Sequence, residues 1–482
     1  MGAFFTIGER KIRPGVYFRY ENTGTPPIAG ADDGRCACVF KSDWGPLGVA
    51  TLFENFTEIA NIYGDGGADG TTIVPLEQFR GGARSVRGVR LGDPSTGTQG
   101  RYEILDDLDV PVILLLLANP GSRQFDITIR PTLADPDVSE LLLLQDTRLV
   151  ERLTFQTPQT PPTDYNMVQA LLDAASAARL VNFSLQLITA SDEAIAVIDQ
   201  DPITPGTDPV ITGADYTTAL EILEAYRWNV LAIDTNDVSI QVLTQMFLNR
   251  VLQGGMFVMG VIGQPSSLDF NLRLTQASSF DDYQIVYVGN GYYDITGNAN
   301  EGFLSAARIS GMIAGTPSND SITRLTVTGA INLTEPLSNN SYERAITAGM
   351  LTFSTSAANT VWVEKGINTL ITIGSQEDAG WKSIKRVKIR FELMQRINDT
   401  IEVLVGRINN DDDGRLTVIQ LANAVCNQMI AERKLLDGAF SMLDPNNPPE
   451  GDSAWFAVEA DDIEALQKIY FTFRFRFSSD AS

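Results

Sequence analysis

From residue 214 the chain alternates between helix-spaced and strand-like runs, and this alternation constrains its fold more than any other feature. "DYTTALEILEAYR" is followed by "WNVLAID", "IQVLTQMFLNRVLQ" by "MFVMGVIG", and "LDFNLRLTQASSF" by "YQIVYVGNG", before the further helical stretch "EGFLSAARISGMIAG". Short apolar runs set between amphipathic helices read as buried strands, and the helices need a sheet face to lie on. A layered α/β core follows. With 482 residues there is room for about three domains, each burying its own core. The fold class expected is therefore mixed α/β, an α+β multi-domain chain.

Between about 92 and 213 the texture changes. Runs such as "PVILLLLA", "FDITIRP" and "NFSLQLITA" are separated by Pro, Gly and Asp turns, with one Ala-rich helix at "NMVQALLDAASAARL" (166 to 180). This reads as a β-rich domain inserted into the main one. Before it, residues 35 to 63 read as a strand, the loop "SDWGPLG", and a helix with apolar positions at Leu52, Phe53, Phe56, Ile59 and Ile62. Beyond the alternating core, helices are expected at about 381 to 405 and 416 to 437.

Both ends of the chain carry strand candidates. In "KIYFTFRFRF", Ile469, Phe471, Phe473, Phe475 and Phe477 fall on one side of an extended chain, with Lys468, Tyr470, Thr472, Arg474 and Arg476 on the other. Such a strand seeks a partner for its apolar face and its backbone groups. Either it joins the chain's own sheet or it is donated to a neighbouring molecule's sheet edge. At the other end "KIRPGVYFRYE", with Pro14, Gly15, Val16, Tyr17 and Phe18, also reads as extended, and "TGTPPIAGADDG" (23 to 34) as a loop.

Composition narrows the function. A net charge of −24 argues against a protein whose main task is binding nucleic acid or an anionic membrane. The chain has no histidine, which removes the commonest general base and metal ligand and excludes any triad built on one. There is no phosphate-binding loop, and "VGNGYYD" (288 to 294) offers two glycines where a dinucleotide loop needs three. Cys36, Cys38 and Cys426 are expected to be reduced, as in a cytosolic protein. The longest apolar run, "VPVILLLLA", is far short of the about 20 residues that span a bilayer. No enzyme, no cofactor and no metal is expected.

Two local motifs invite chemistry. In "NNDDDGRLTVIQ" (409 to 420), Asn409, Asp411, Asp413 and Gly414 occupy positions one, three, five and six of a calcium loop, but Gln420 stands where the bidentate Glu belongs. An acidic turn that caps the following helix explains the segment better. The second motif is basic: "WKSIKRVKIRFELMQR" (381 to 396) sets Lys382, Lys385, Arg386, Lys388, Arg390 and Arg396 beside an apolar stripe of Ile384, Val387, Phe391 and Met394. It reads as an ordinary amphipathic helix or as an electrostatic contact with an acidic partner.

Taken in order, "RPGVY" (13 to 17), "WGPLG" (44 to 48), "FRGGAR" (79 to 84), "NPGSRQFDITI" (119 to 129), "DYTTALEILEAYRWNVLAI" (215 to 233), "INNDDDGR" (408 to 415) and "QKIYFTF" (467 to 473) resemble the sheath protein of contractile machines. These are the myovirus-type phage tail sheath and its relatives in R-type bacteriocins and phage-tail-like particles. The resemblance implies an N-terminal arm (1–22), a first part of the core (23–91), an inserted outward-facing domain (92–213), the α/β core with the C-terminal sheath domain (214–465) and a C-terminal arm (466–482). It implies stacked sixfold rings around an inner tube, linked by arms that add strands to sheets of adjacent subunits, and contraction by subunit rearrangement. The implied partners are the protein itself, the inner tail tube protein, and baseplate and tail terminator proteins, with no direct nucleic acid and no membrane insertion. The implied place is a virion tail or phage-tail-like particle assembled in the bacterial host cytoplasm. Pro14 to Phe18 and Ile469, Tyr470, Phe471, Phe473, Phe475 and Phe477 would be the linking arms, and Lys382, Lys385, Arg386, Lys388 and Arg390 a candidate tube-facing surface. The alternative is a self-assembling adhesin or surface-layer type protein that donates its terminal strand.

Overall fold

The computed structural model describes residues 34–156, 167–375 and 377–474, together with the backbone at Ala3–Phe4 and Tyr17–Phe18. Two compact units emerge. One comprises residues 33–389 with 464–482, and the other residues 1–32 with 390–463. In the latter, β1 (Ala3–Phe4) pairs in parallel with β2 (Tyr17–Phe18).

The larger unit is organised on a seven-stranded sheet. Its first part supplies β3 (Arg35–Phe40), β4 (Ala50–Phe53), α1 (Phe56–Tyr63), α2 (Ile73–Gly81) and β5 (Ser85–Arg90). Leu52 and Phe53, expected on a helix, lie on the edge strand β4 instead. The reason is local: Asn55 caps α1 by accepting from the amides of Thr57 and Glu58, so the helix begins only at Phe56.

Residues 99–202 build two sheets that share one core. They contain β6 (Gln99–Leu105), β7 (Pro111–Pro120), β8 (Asp126–Pro131), β9 (Val138–Gln145), β10 (Arg148–Gln156), α3 (Met167–Ala177), β11 (Phe183–Leu187) and β12 (Ile198–Pro202). The orders are β10-β9-β8-β12 and β11-β7-β6. Ile113, Leu115 and Leu117 of β7 meet Ile127, Ile129, Leu141 and Leu143 of the facing sheet, and α3 adds Met167, Val168 and Leu171. Trp44, from the loop after β3, sits in this same core, edge-on to Phe125 at 4.7 Å. Arg90 closes the join: its Nε donates to the Ser42 carbonyl and its Nη1 to those of Gly45 and Pro120. Arg123 pairs with Asp43 and donates to the Tyr63 carbonyl.

The alternating region completes the main sheet with α4 (Gly213–Glu224), β13 (Val230–Ala232), α5 (Val238–Gln253), β14 (Met259–Gly263), α6 (Phe270–Phe280) and β15 (Ile285–Val288). There follow β16 (Tyr292–Asp294), β17 (Ala299–Asn300), α7 (Phe303–Gly315), β18 (Ala330–Leu333), α8 (Asn339–Thr347), β19 (Met350–Leu351), β20 (Phe353–Thr355) and β21 (Val361–Val363). The strand order is β19-β15-β14-β13-β3-β5-β4, parallel except for β4. Helices α4, α5, α6 and α8 cover one face, against Ala37, Val39, Leu231, Ile262 and Tyr287. Helices α2 and α7 cross so closely that a Cβ on Gly311 would lie 2.0 Å from the Gln78 carbonyl oxygen, and only glycine fits there. Glu77, fully buried, is held at this crossing by Arg308 at 2.7 Å and Arg80 at 2.6 Å.

A 3₁₀ turn at Ala379–Lys382 leads into α9 (Ile384–Glu402), which begins in the larger unit and ends in the smaller one. The smaller unit continues with α10 (Asp412–Ala431) and the antiparallel pair β22 (Phe440–Leu443) and β23 (Phe456–Glu459).

Candidate assembly site

From Glu464 to Arg474 the chain forms neither helix nor strand. Large apolar side chains stand in solvent there: Leu466 is 82% exposed, Ile469 64%, Tyr470 85%, and Phe471 and Phe473 77% each. The rings of Phe471 and Phe473 lie 6.3 Å apart, the spacing of alternate residues on one face of an extended chain. Phe475 and Phe477 lie outside the described residues, as do Pro14, Gly15 and Val16. Tyr17 and Phe18 are those that pair with Ala3 and Phe4. Lys468 is exposed, whereas Lys41, Lys365, Lys382, Lys385, Lys388 and Lys434 are all at least partly buried.

The smaller unit holds a surface not expected from the sequence. Its β22–β23 sheet has two strands among the described residues, and such a pair is marginal in water without added strands or a helix. α10 supplies part of that support, because Asn423 Oδ1 accepts from the Ser441 amide at 2.6 Å. Phe440, Trp455 and Val458 stay about two-fifths exposed. Beside them opens a cavity of about 360 Å³ lined chiefly by apolar side chains, including Ile401, Leu404, Val405, Val418 and Phe456. The sequence signal for this region is a stretch without any Lys or Arg between Lys434 and Lys468, punctuated by the Pro448, Pro449 and Gly451 turn.

α9 and the 3₁₀ turn before it carry the basic residues between 381 and 396. Ile384, Val387, Ile389 and Phe391 form the buried side of the helix, while Met394 is 40% exposed. The cations are engaged inside the fold. Lys382 donates to the Ile371 carbonyl at 2.6 Å. Lys385 is buried and Arg386 partly so. Lys388 donates to the carbonyls of Ile313 and Thr316, where α7 ends and its dipole favours a positive charge. Arg390 pairs with Asp462 at 2.9 Å. Further along, Arg396 and Lys434 share Glu392 and Glu432 in one network. Burial alone would raise the Glu432 carboxyl, but hydrogen bonds and charge from Arg396 and Lys434 outweigh it and hold the group down to about 2.

The place where an open parallel sheet usually binds a ligand lies beyond the carboxyl ends of its strands, at a switch in strand order. Here that place falls between β3 and β13, and the chain fills it. Buried Asp234 accepts from Thr71 Oγ1 at 2.7 Å and from the Tyr216 hydroxyl at 2.8 Å, with Lys41 at 3.9 Å. Among the described residues no group of three or more carboxylates and thiols is placed to hold a metal ion. Asp411 acts as the cap of α10, its carboxylate accepting from the Gly414 amide at 2.8 Å. Cys36, Cys38 and Cys426 are buried free thiols. No helix among the described residues is long and apolar enough to cross a membrane.

Residues 210–369 match the phage tail sheath protein central domain. This part of the chain is thus similar to the central domain of tail sheath proteins, which are structural proteins. The phage-like element PBSX protein XkdK of Bacillus subtilis strain 168 is 22% identical over 397 residues, covering 80% of this chain and 79% of that protein. The sheath tail protein of Desulfitobacterium hafniense superposes with a TM-score of 0.70 at 16% identity, covering 93% of this chain and all of that one. The helical sheath of the anti-feeding prophage in its contracted state gives a TM-score of 0.56 at 9% identity, with 97% of this chain and 99% of that one covered. These structural likenesses are likenesses of fold. The resemblance carried by the seven motifs and the mixed α/β class both hold.

Proposed function

We propose that this protein is the subunit of a contractile tail sheath. It assembles as stacked sixfold rings around an inner tube, in a phage tail or phage-tail-like particle built in a bacterial cytoplasm, and contraction drives the tube through a cell envelope. Baseplate and tail terminator proteins bound the stack. The observation that carries this reading is the segment Glu464–Arg474, whose Tyr470, Phe471 and Phe473 are the most exposed aromatic side chains among the described residues. Added as a strand to the open edge of a β22–β23 sheet in another copy, it would gain main-chain hydrogen bonds and cover its apolar face. A head-to-tail contact of that kind gives rings where its rotation closes and a helical array where it does not. Exchanged strands hold neighbours together while the bodies rotate during contraction. The residues 1–22 and 466–482 are the arms in this scheme, 92–213 the outward-facing insertion, and 23–91 with 214–465 the sheath body.

Negative-stain electron microscopy of the chain expressed alone, beside a version ending at Ala465, tests the proposal. Tubes or rings from the full chain that vanish on truncation are the expected result. A full chain that stays monomeric, or a truncated one that assembles equally well, removes the arm from the account.

A further inference from the structure

On this acidic protein the outer face of α5 and α6 carries little charge: the exposed carboxylates of Asp237 and Asp269 are confined to the N-caps of the two helices, and Arg344 of α8 reaches Asn271 at the start of α6. From Val238 to Leu268 the sequence holds one charged residue, Arg250, and it is paired with Glu224 on α4 at 2.7 Å. α6 also holds one, Arg273, which is buried and tied to Glu335. Several of their exposed side chains are apolar: Val242 is 42% exposed, Met246 68% and Leu272 53%. Val238, Val242 and Met246 recur every four residues and so form a single stripe. The same helices also expose uncharged polar groups such as Asn249 and Thr275. The two helices adjoin, since Gln245 of α5 donates to the carbonyl of Phe280 at the end of α6 at 2.8 Å.

We infer that this α5–α6 face is a contact surface for a second copy of the chain, an inference that rests on the sheath reading and adds a second joint to it. Depletion of charge with retained methionine matches the composition of a protein–protein interface core. The charge balance selects the partner. A basic partner would be drawn to carboxylates, so clearing them from a face would weaken its binding. A partner of the same sign benefits from their removal, because burial then desolvates no carboxylate and sets none against another. With a net charge of −24, a second copy is such a partner. The contact is independent of the terminal arm, since neither helix includes any arm residue.

The test uses the full chain and sedimentation velocity with electron microscopy. The variant Val242→Asp with Met246→Asp is expected to keep the monomer's circular dichroism and melting temperature. Its assembled fraction is expected to fall about tenfold or more at a given concentration. Val242→Ile with Met246→Leu should assemble as the parent does. Met246→Asp alone, at the most exposed of these side chains, repeats the test should the double variant misfold. If both aspartate variants assemble like the parent while the chain ending at Ala465 does not, this face is not a joint and the sheath reading stands. If the parent stays monomeric at every concentration, contact with a second copy is overturned.

Discussion

Two stretches of the chain, Trp381–Arg396 and Leu466–Arg474, are made of the same ingredients, cations interleaved with large apolar side chains, and end in opposite surroundings. On α9 the apolar residues Ile384, Val387 and Ile389 are no more than 1% exposed, and Lys388 reaches backbone carbonyls at the end of α7. On the arm Ile469, Tyr470 and Phe471 are all more than three-fifths exposed, and Lys468 stands in solvent. The difference lies in the period. A helical repeat satisfies its own backbone and gathers apolar groups on one side, so α9 can dock as a unit and direct its long cations to acceptors nearby. An alternating repeat satisfies nothing alone and needs another strand. A mixture of charge and hydrophobicity therefore does not by itself mark an interface; the mode of backbone pairing decides.

Charge insertion should separate the two regions most sharply. Val387→Asp on α9 buries an unpaired carboxylate and is expected to cost more than about 4 kcal/mol, enough to remove cooperative unfolding or solubility. Phe471→Asp on the arm should leave the monomer's stability within about 0.5 kcal/mol and abolish assembly. Denaturant titration beside electron microscopy reads both, and an arm variant that loses stability would mean that the arm packs on its own chain. A smaller contrast comes from the lysines. Lys388→Met leaves the Ile313 and Thr316 carbonyls without their donor and should cost about 1–3 kcal/mol, whereas Lys468→Met should be neutral within about 0.5 kcal/mol. Equal losses in the two variants would erase the distinction.

The α/β core was legible because each of its helices carries a helical repeat of apolar residues and each strand between them is a short apolar run bounded by turns. α4 to α6 and β13 to β15 follow "DYTTALEILEAYR" through "YQIVYVGNG" in order. Leu52 and Phe53 were misread because apolar spacing alone runs on through Asn55, whose side chain stops the helix. The fate of the basic residues on α9 was not legible either, since the carbonyls that take Lys382 and Lys388 belong to Ile371, Ile313 and Thr316, outside the helix itself. The β22–β23 pair was missed because its strands are four residues each and separated by a Pro- and Asn-rich turn. Trp44, Arg90 and Arg123 work across elements and carry no local pattern. The arm, by contrast, was visible as a plain alternation because nothing local competes with it.

The smallest effect expected concerns the far end of α9, where Arg396 and Lys434 hold Glu432. With its carboxyl kept down to about 2 in the folded chain, against an ordinary value of 4.5, the native state binds fewer protons than the unfolded state between those limits. The stabilisation from Glu432 is therefore complete above about pH 4.5 and is lost as the pH falls toward about 2. Other carboxylates titrate in the same range, so the informative quantity is a difference. Glu432→Gln should melt below the parent at about pH 7, and the gap should narrow steadily as the pH is lowered through this window. Because Glu432 is partly exposed, solvent screening keeps the gap modest. A gap that stays constant down to about pH 2.5 would show that the glutamine variant fails through lost packing and not through lost charge. The ion network would then contribute shape to the α9–α10 pair and no pH dependence. A closing gap would instead fix α9 as the region whose cations act within the fold, in contrast to those of the arm.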